Sequence, residues 1–131
     1  MRPERAAAQA RPPTRPNHIL VVEDDAEIRE AVQMILEEDG LTASLTRNGK
    51  EALEWLQMNG EPALILLDLM MPVMDGRTFL QRLIQLGTKV PVVVMSAQSR
   101  LDVPDATAVL AKPFEIDVFL AMIRRHLPEA K

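Results

Sequence analysis

From His18 onward the chain alternates short aliphatic runs with amphipathic stretches, the pattern of βα units repeated around a parallel sheet. The run ILVV at residues 19–22 is purely aliphatic, as a strand buried on both faces must be. Over residues 26–39, Ile28, Val32, Ile35 and Leu36 recur at helical spacing, and Gly40 ends the helix. Residues 41–46 alternate weakly as a second strand. Asn48 and Gly49 then turn the chain, and Ala52, Leu53 and Leu56 mark the inner face of a second helix. ALILL at residues 63–67 reads as a third strand. A helix over 76–86 presents Phe79, Leu80, Leu83 and Ile84, and Gly87 closes it. Residues 90–95 and 106–111 follow as a fourth and a weaker fifth strand. A final helix over 114–127 carries Phe119, Leu120, Ile123 and Leu127 inward.

Five strands joined by right-handed crossovers predict an α/β fold, a doubly wound five-stranded parallel sheet in the order 2-1-3-4-5. Strands 1 and 3 are then neighbours, and ligands bind beyond the carboxyl ends of the strands, where the order reverses. The residues just after the strands become the suspects. The first strand ends in Glu23, Asp24 and Asp25, the third in Asp68, the fourth in Ser96 and the fifth in Lys112 and Pro113.

Taken singly, each of these residues has an ordinary explanation. Asp24 or Asp25 can cap the helix that follows. Ser96 can be a strand-end hydroxyl satisfied by backbone, and Lys112 a surface residue. Asp68 is harder to explain this way, because an unpaired carboxylate closing an apolar run costs several kcal/mol to bury. As a set they point to one site, in which carboxylates from adjacent strands repel unless a cation neutralises them. A hard divalent ion with oxygen ligands fits, and Mg²⁺ keeps waters and expects a phosphate nearby. Asp68 would then attack phosphorus in line, with Mg²⁺ held by Asp24 and Asp68. Lys112 would face another phosphoryl oxygen, and Ser96 would hydrogen-bond the attached group.

Composition narrows the rest. The 131 residues fit one domain, and with 3% aromatic residues its core must be aliphatic. The first 17 residues hold four Arg against one Glu and four prolines, and read as a disordered basic tail ahead of a domain over 18–128. The remainder is therefore more acidic than the whole-chain charge of −4, which argues against direct nucleic-acid binding. With no cysteine, disulfides and thiolate chemistry are excluded. No apolar run is long enough to span a bilayer, and the tail has no h-region of a secretory signal.

The segments ILVVEDD, LILLDLMMPVMDG, VVVMSA and LAKPF, in that order, resemble the four signature segments of the receiver domains of two-component response regulators. The resemblance runs from His18 to Leu127 and implies the flavodoxin-like, CheY-like arrangement. It matches Asp68 to the phosphoacceptor, Glu23 and Asp24 to the acidic pair, Ser96 to the hydroxyl position and Lys112 to the lysine. Met70 matches the position whose backbone carbonyl coordinates magnesium, with Mn²⁺ as the alternative cation. Pro72 and Gly76 match the turn that shapes the loop, and Lys112-Pro113 the cis peptide bond. The resemblance also implies a cytoplasmic phosphoprotein served by a sensor histidine kinase or a histidine phosphotransfer protein. It would hydrolyse its own aspartyl phosphate slowly, would not be an enzyme on a separate substrate, and would signal through a downstream effector protein. A homodimer is left open.

Two departures change the expected output. Only about ten residues separate Ser96 from the fifth strand, fewer than an average helix of about 11, and Pro104 tightens the segment further. The helix between strands 4 and 5 is therefore expected to be missing or much shortened. Val109 stands where the family places an aromatic switch residue, so the usual side-chain rotation is not available.

Two other readings compete. One is a phosphorylation-independent pseudo-receiver, although its usual mark, a lost acidic residue or lysine, is absent. The other is a haloacid-dehalogenase-like phosphohydrolase, which needs a second acid where Met70 stands. Among the remaining residues, Trp55 reads as partial packing, and His126 as a favourable charge at a helix C-terminus.

Overall fold

The computed structural model describes residues 15–68, 76–96 and 106–128. Nine elements follow one another: β1 (Arg15–Val22), α1 (Ala26–Glu38), β2 (Thr42–Thr46), α2 (Gly49–Asn59), β3 (Pro62–Asp68), α3 (Gly76–Leu86), β4 (Val92–Ser96), β5 (Ala108–Ala111) and α4 (Ile116–His126). All five strands are parallel, in the order β2-β1-β3-β4-β5. The expected fold class is the observed one. Residues 97–105, where the shortened helix is expected, lie outside the described residues, as does the stretch 1–14.

A parallel sheet needs covering on both faces, and the side chains of β3 show how this is met. Every residue of β3 is buried. Ile65 and Leu67 face α2 and α3 with Leu20, Val22, Val94 and the ring of Phe79. Leu64 and Leu66 face α1 and α4 with Ile19, Val21, Leu36, Phe119 and Ile123. The period-2 alternation of strands thus feeds two aliphatic layers of separate composition.

Local chemistry sets the helix ends. Asp25 opens α1, its Oδ1 accepting from the N–H groups of Glu27 at 2.9 Å and Ile28 at 3.2 Å. Asn48 opens α2 by accepting from Glu51 N–H at 2.9 Å. Gly40 and Gly87 follow helices at φ +84° and +76°, a region that costs other residues strain.

The fourth strand begins at Val92 rather than at 90 and the fifth at Ala108 rather than at 106, and three further expectations shift. β1 begins at Arg15, ahead of its aliphatic run, with Arg15 paired to Pro62, Asn17 at φ 65° and a register shift before Ile19. Ile84 is 57% exposed rather than inward, because Phe79, Leu80 and Leu83 fill the buried stripe of α3 and leave Ile84 beyond its edge. The final helix starts at Ile116 rather than at 114: the chain bends at Lys112 and Pro113, and Glu115 is still extended as the residue that precedes the helix. The Lys112–Pro113 peptide bond is cis.

Candidate functional site

The carboxyl edge of the sheet gathers the polar strand ends. Val22 stands beside Leu67, Asp68 beside Met95, and Ser96 beside Ala111, so Glu23, Asp68, Ser96 and Lys112 leave neighbouring strands at one level. Glu23, Asp68 and Ser96 are buried, at 1%, 6% and 3% exposure, while Asp24 is exposed. One carboxylate oxygen from each of Glu23, Asp24 and Asp68 lies within 4.8 Å of the other two. Lys112 Nζ lies 3.3 Å from Glu23 Oε1 and 3.6 Å from Asp68 Oδ1, and Lys112 N–H donates to the Ser96 carbonyl at 2.6 Å.

Burial, followed by the neighbouring charge of Asp68 and a hydrogen bond with it, pushes the Glu23 carboxyl up from 4.5 to about 7. Lys112 and the Asp25 N–H act the other way without cancelling the effect. Three acids thus gather where the Lys112 ammonium meets two of them. An all-oxygen donor set of three carboxyl groups, partly exposed through Asp24, fits a hard divalent cation such as Mg²⁺ that retains waters. Lys112 also lines an apolar cavity of about 490 Å³ with Ile28, Ala31, Ile35 and Phe114, so its stem meets apolar surface while its head faces the acids.

The capping and acidic-pocket duties considered for the triplet fall to different neighbours. Asp25 caps α1, and Asp24 joins the acidic group. Val109 is half-buried against the layer of Leu20, Val22 and Phe79. Gly76 is buried as the first residue of α3, and Pro113 is exposed. Met70 and Pro72 lie outside the described residues.

Sequence reasoning did not single out Arg29. Its guanidinium Nη1 donates to the Glu23 carbonyl at 2.8 Å and to the Asp24 carbonyl at 3.0 Å. A signal was available, because a cation at the amino end of a helix opposes the helix dipole and needs another reason to be there.

The comparisons with known proteins agree with this geometry. The family model described as response regulator receiver domain matches residues 19–124. The transcriptional regulatory protein YkoG of Bacillus subtilis (strain 168) is 36% identical over 118 residues, covering 84% of this chain and 50% of that protein. The DNA-binding transcriptional regulator NtrC of Escherichia coli (strain K12) is 37% identical over 115 residues, covering 83% and 24%. The chain thus spans half or less of these two regulators. Among solved structures, the chemotaxis protein CheY4 of Vibrio cholerae superposes with a TM-score of 0.76 at 26% identity, covering 86% of this chain and all of that one. A signal receiver domain of a histidine kinase from Syntrophus aciditrophicus gives 0.73 at 32%, covering 84% and 89%. The order of the strands, the acids and lysine at their carboxyl ends and the family match over 19–124 agree: this chain belongs to the response regulator receiver domain family.

Proposed function

We propose that Asp68 accepts a phosphoryl group, in a Mg²⁺-dependent reaction, from a sensor histidine kinase or a histidine phosphotransfer protein, and that the phosphorylated domain signals by binding a downstream protein. The observation that carries this reading is the placement of a nearly buried Asp68 between two further acids and the Lys112 ammonium. Glu23, Asp24 and Asp68, with the Met70 carbonyl by family resemblance, would hold the cation. Bound there, it supplies fixed positive charge against the phosphoryl oxygens.

The chain's own groups do the rest. An Asp68 carboxylate oxygen attacks phosphorus in line, and the O–P bond forms as the bond from phosphorus to the donor nitrogen breaks. The Lys112 ammonium faces a second phosphoryl oxygen, preorganised by its contacts with Glu23 and Asp68. Ser96, one residue beyond the Met95 that pairs with Asp68, hydrogen-bonds the attached group. The valine at 109, packed in the core layer, favours an output that does not use rotation of an aromatic ring. The transcriptional names of the relatives support an output to gene control, and the family implies action in the cytoplasm.

Intact mass after incubation with Mg²⁺ and a small-molecule phosphodonor tests the reading. A Mg²⁺-dependent phosphoryl adduct on wild type, absent from Asp68→Asn, is the expected result. No adduct on either, while a control receiver labels, would overturn it in favour of a phosphorylation-independent binding module.

A further inference from the structure

The loop between β1 and α1 carries two of the three acids, and its backbone is held from several directions. Glu23 N–H donates to the Thr46 carbonyl of β2 at 3.0 Å. The carbonyls of Glu23 and Asp24 both accept from Arg29 Nη1, at 2.8 and 3.0 Å. Asp25 N–H donates to Glu23 Oε2 at 3.2 Å.

Two of these bonds share one peptide unit. The carbonyl of Asp24 and the N–H of Asp25 belong to the same planar trans peptide, so they point in opposite directions. When Arg29 holds that carbonyl on the outer side, the N–H on the inner side is aimed at the Glu23 carboxylate. Arg29 also holds the carbonyl of the preceding peptide. The α-carbon of Asp24 therefore sits between two clamped peptide planes, which sets the direction in which its carboxylate leaves the backbone.

We propose that Arg29 is a positioning residue for the cation site: by clamping the carbonyls of Glu23 and Asp24 it presents their carboxylates to Mg²⁺ before the ion arrives. The inference rests on the receiver reading above. It carries a sign that separates it from simple electrostatics. A guanidinium near a cation site repels the cation, so if charge alone mattered, removing Arg29 would tighten Mg²⁺ binding. A clamp predicts the opposite, because losing a group that orients metal ligands typically costs about 10–100-fold in affinity.

The helix supplies its own control. At the other end of α1, Arg124 reaches from α4 to the Asp39 carbonyl at 2.6 Å and to Asp39 Oδ2 at 2.9 Å, a guanidinium-to-backbone clamp remote from the acids. Mg²⁺ titrations by calorimetry on wild type, Arg29→Met and Arg124→Met, each with its metal-free melting temperature, form the test. The expected result is about 10-fold weaker Mg²⁺ binding in Arg29→Met alone, with both variants folded and comparably stable. The Mg²⁺ concentration that half-saturates phosphorylation by a small donor should rise with it, while the rate at saturating Mg²⁺ stays within about twofold. Arg29→Gln, shorter and also uncharged, is the second variant should Arg29→Met not fold. Unchanged or tighter Mg²⁺ binding in whichever folds overturns the proposal, as does an equal loss in Arg124→Met. A wild type that binds no Mg²⁺ removes the cation site itself, and the proposal with it.

Discussion

Lys112 and Glu23 are 89 positions apart in the chain, yet the lysine ammonium stands 3.3 Å from a Glu23 carboxylate oxygen, with Asp68 at 3.6 Å on the same ammonium. One cation thus serves two buried acids. Anything that removes the ammonium or adds a cation therefore changes both.

Lys112→Met is expected to destabilise the metal-free domain at pH 8 by roughly 2–3 kcal/mol, below the ~3–5 of a fully buried broken pair because Lys112 keeps some solvent contact. Phosphorylation by a small donor at saturating Mg²⁺ should fall about 100-fold, as for other lost charge-stabilising groups. Urea unfolding in EDTA and adduct formation by mass read the two effects. A fully stable, fully active variant would refute the shared-cation account.

The raised Glu23 carboxyl, about 7 against an ordinary 4.5, gives a pH dependence of definite sign. The folded state holds this proton more tightly than the unfolded chain does. Its stabilising share is therefore complete below about 4.5 and is lost as pH rises to about 7. Between pH 5 and 8 without metal, wild type should lose roughly 2–3 kcal/mol relative to Glu23→Gln, at about 1.4 kcal/mol per pKa unit. Mg²⁺ affinity should climb over the same range and level off above it, as the proton stops competing with the cation. Parallel urea series and calorimetry at each pH decide this.

Asp24 and Asp25 should separate cleanly. Asp25→Ala removes a helix cap and is expected to cost about 1 kcal/mol while leaving Mg²⁺ affinity within twofold, because the Asp25 N–H to Glu23 is retained. Asp24→Asn should leave stability nearly unchanged and weaken Mg²⁺ binding about 10-fold or more. The reverse pattern would mean that the two roles are exchanged.

Phe119→Ala, at a fully buried position under β3, should cost about 3–5 kcal/mol, whereas Ile84→Ala should stay within about 0.5 kcal/mol. A large loss at Ile84, measured by urea unfolding, would show that α3 is covered in solution by something other than solvent.

The sequence by itself determined the sheet and the roster of suspects. A parallel strand buried on both faces can hold only apolar residues, so ILVV, ALILL and VVVM announce themselves, and a charged residue closing such a run is conspicuous. Helix stripes were nearly as legible, failing at Ile84 because periodicity marks a face but not where that face ends. Tertiary structure decided which aspartate caps and which joins the pocket, that Arg29 holds the carbonyls behind the acids, and that Glu23 keeps its proton to about 7. These depend on distances of a few ångströms between groups far apart in the chain, and on water removed from around them. Neither quantity exists until the strands have paired.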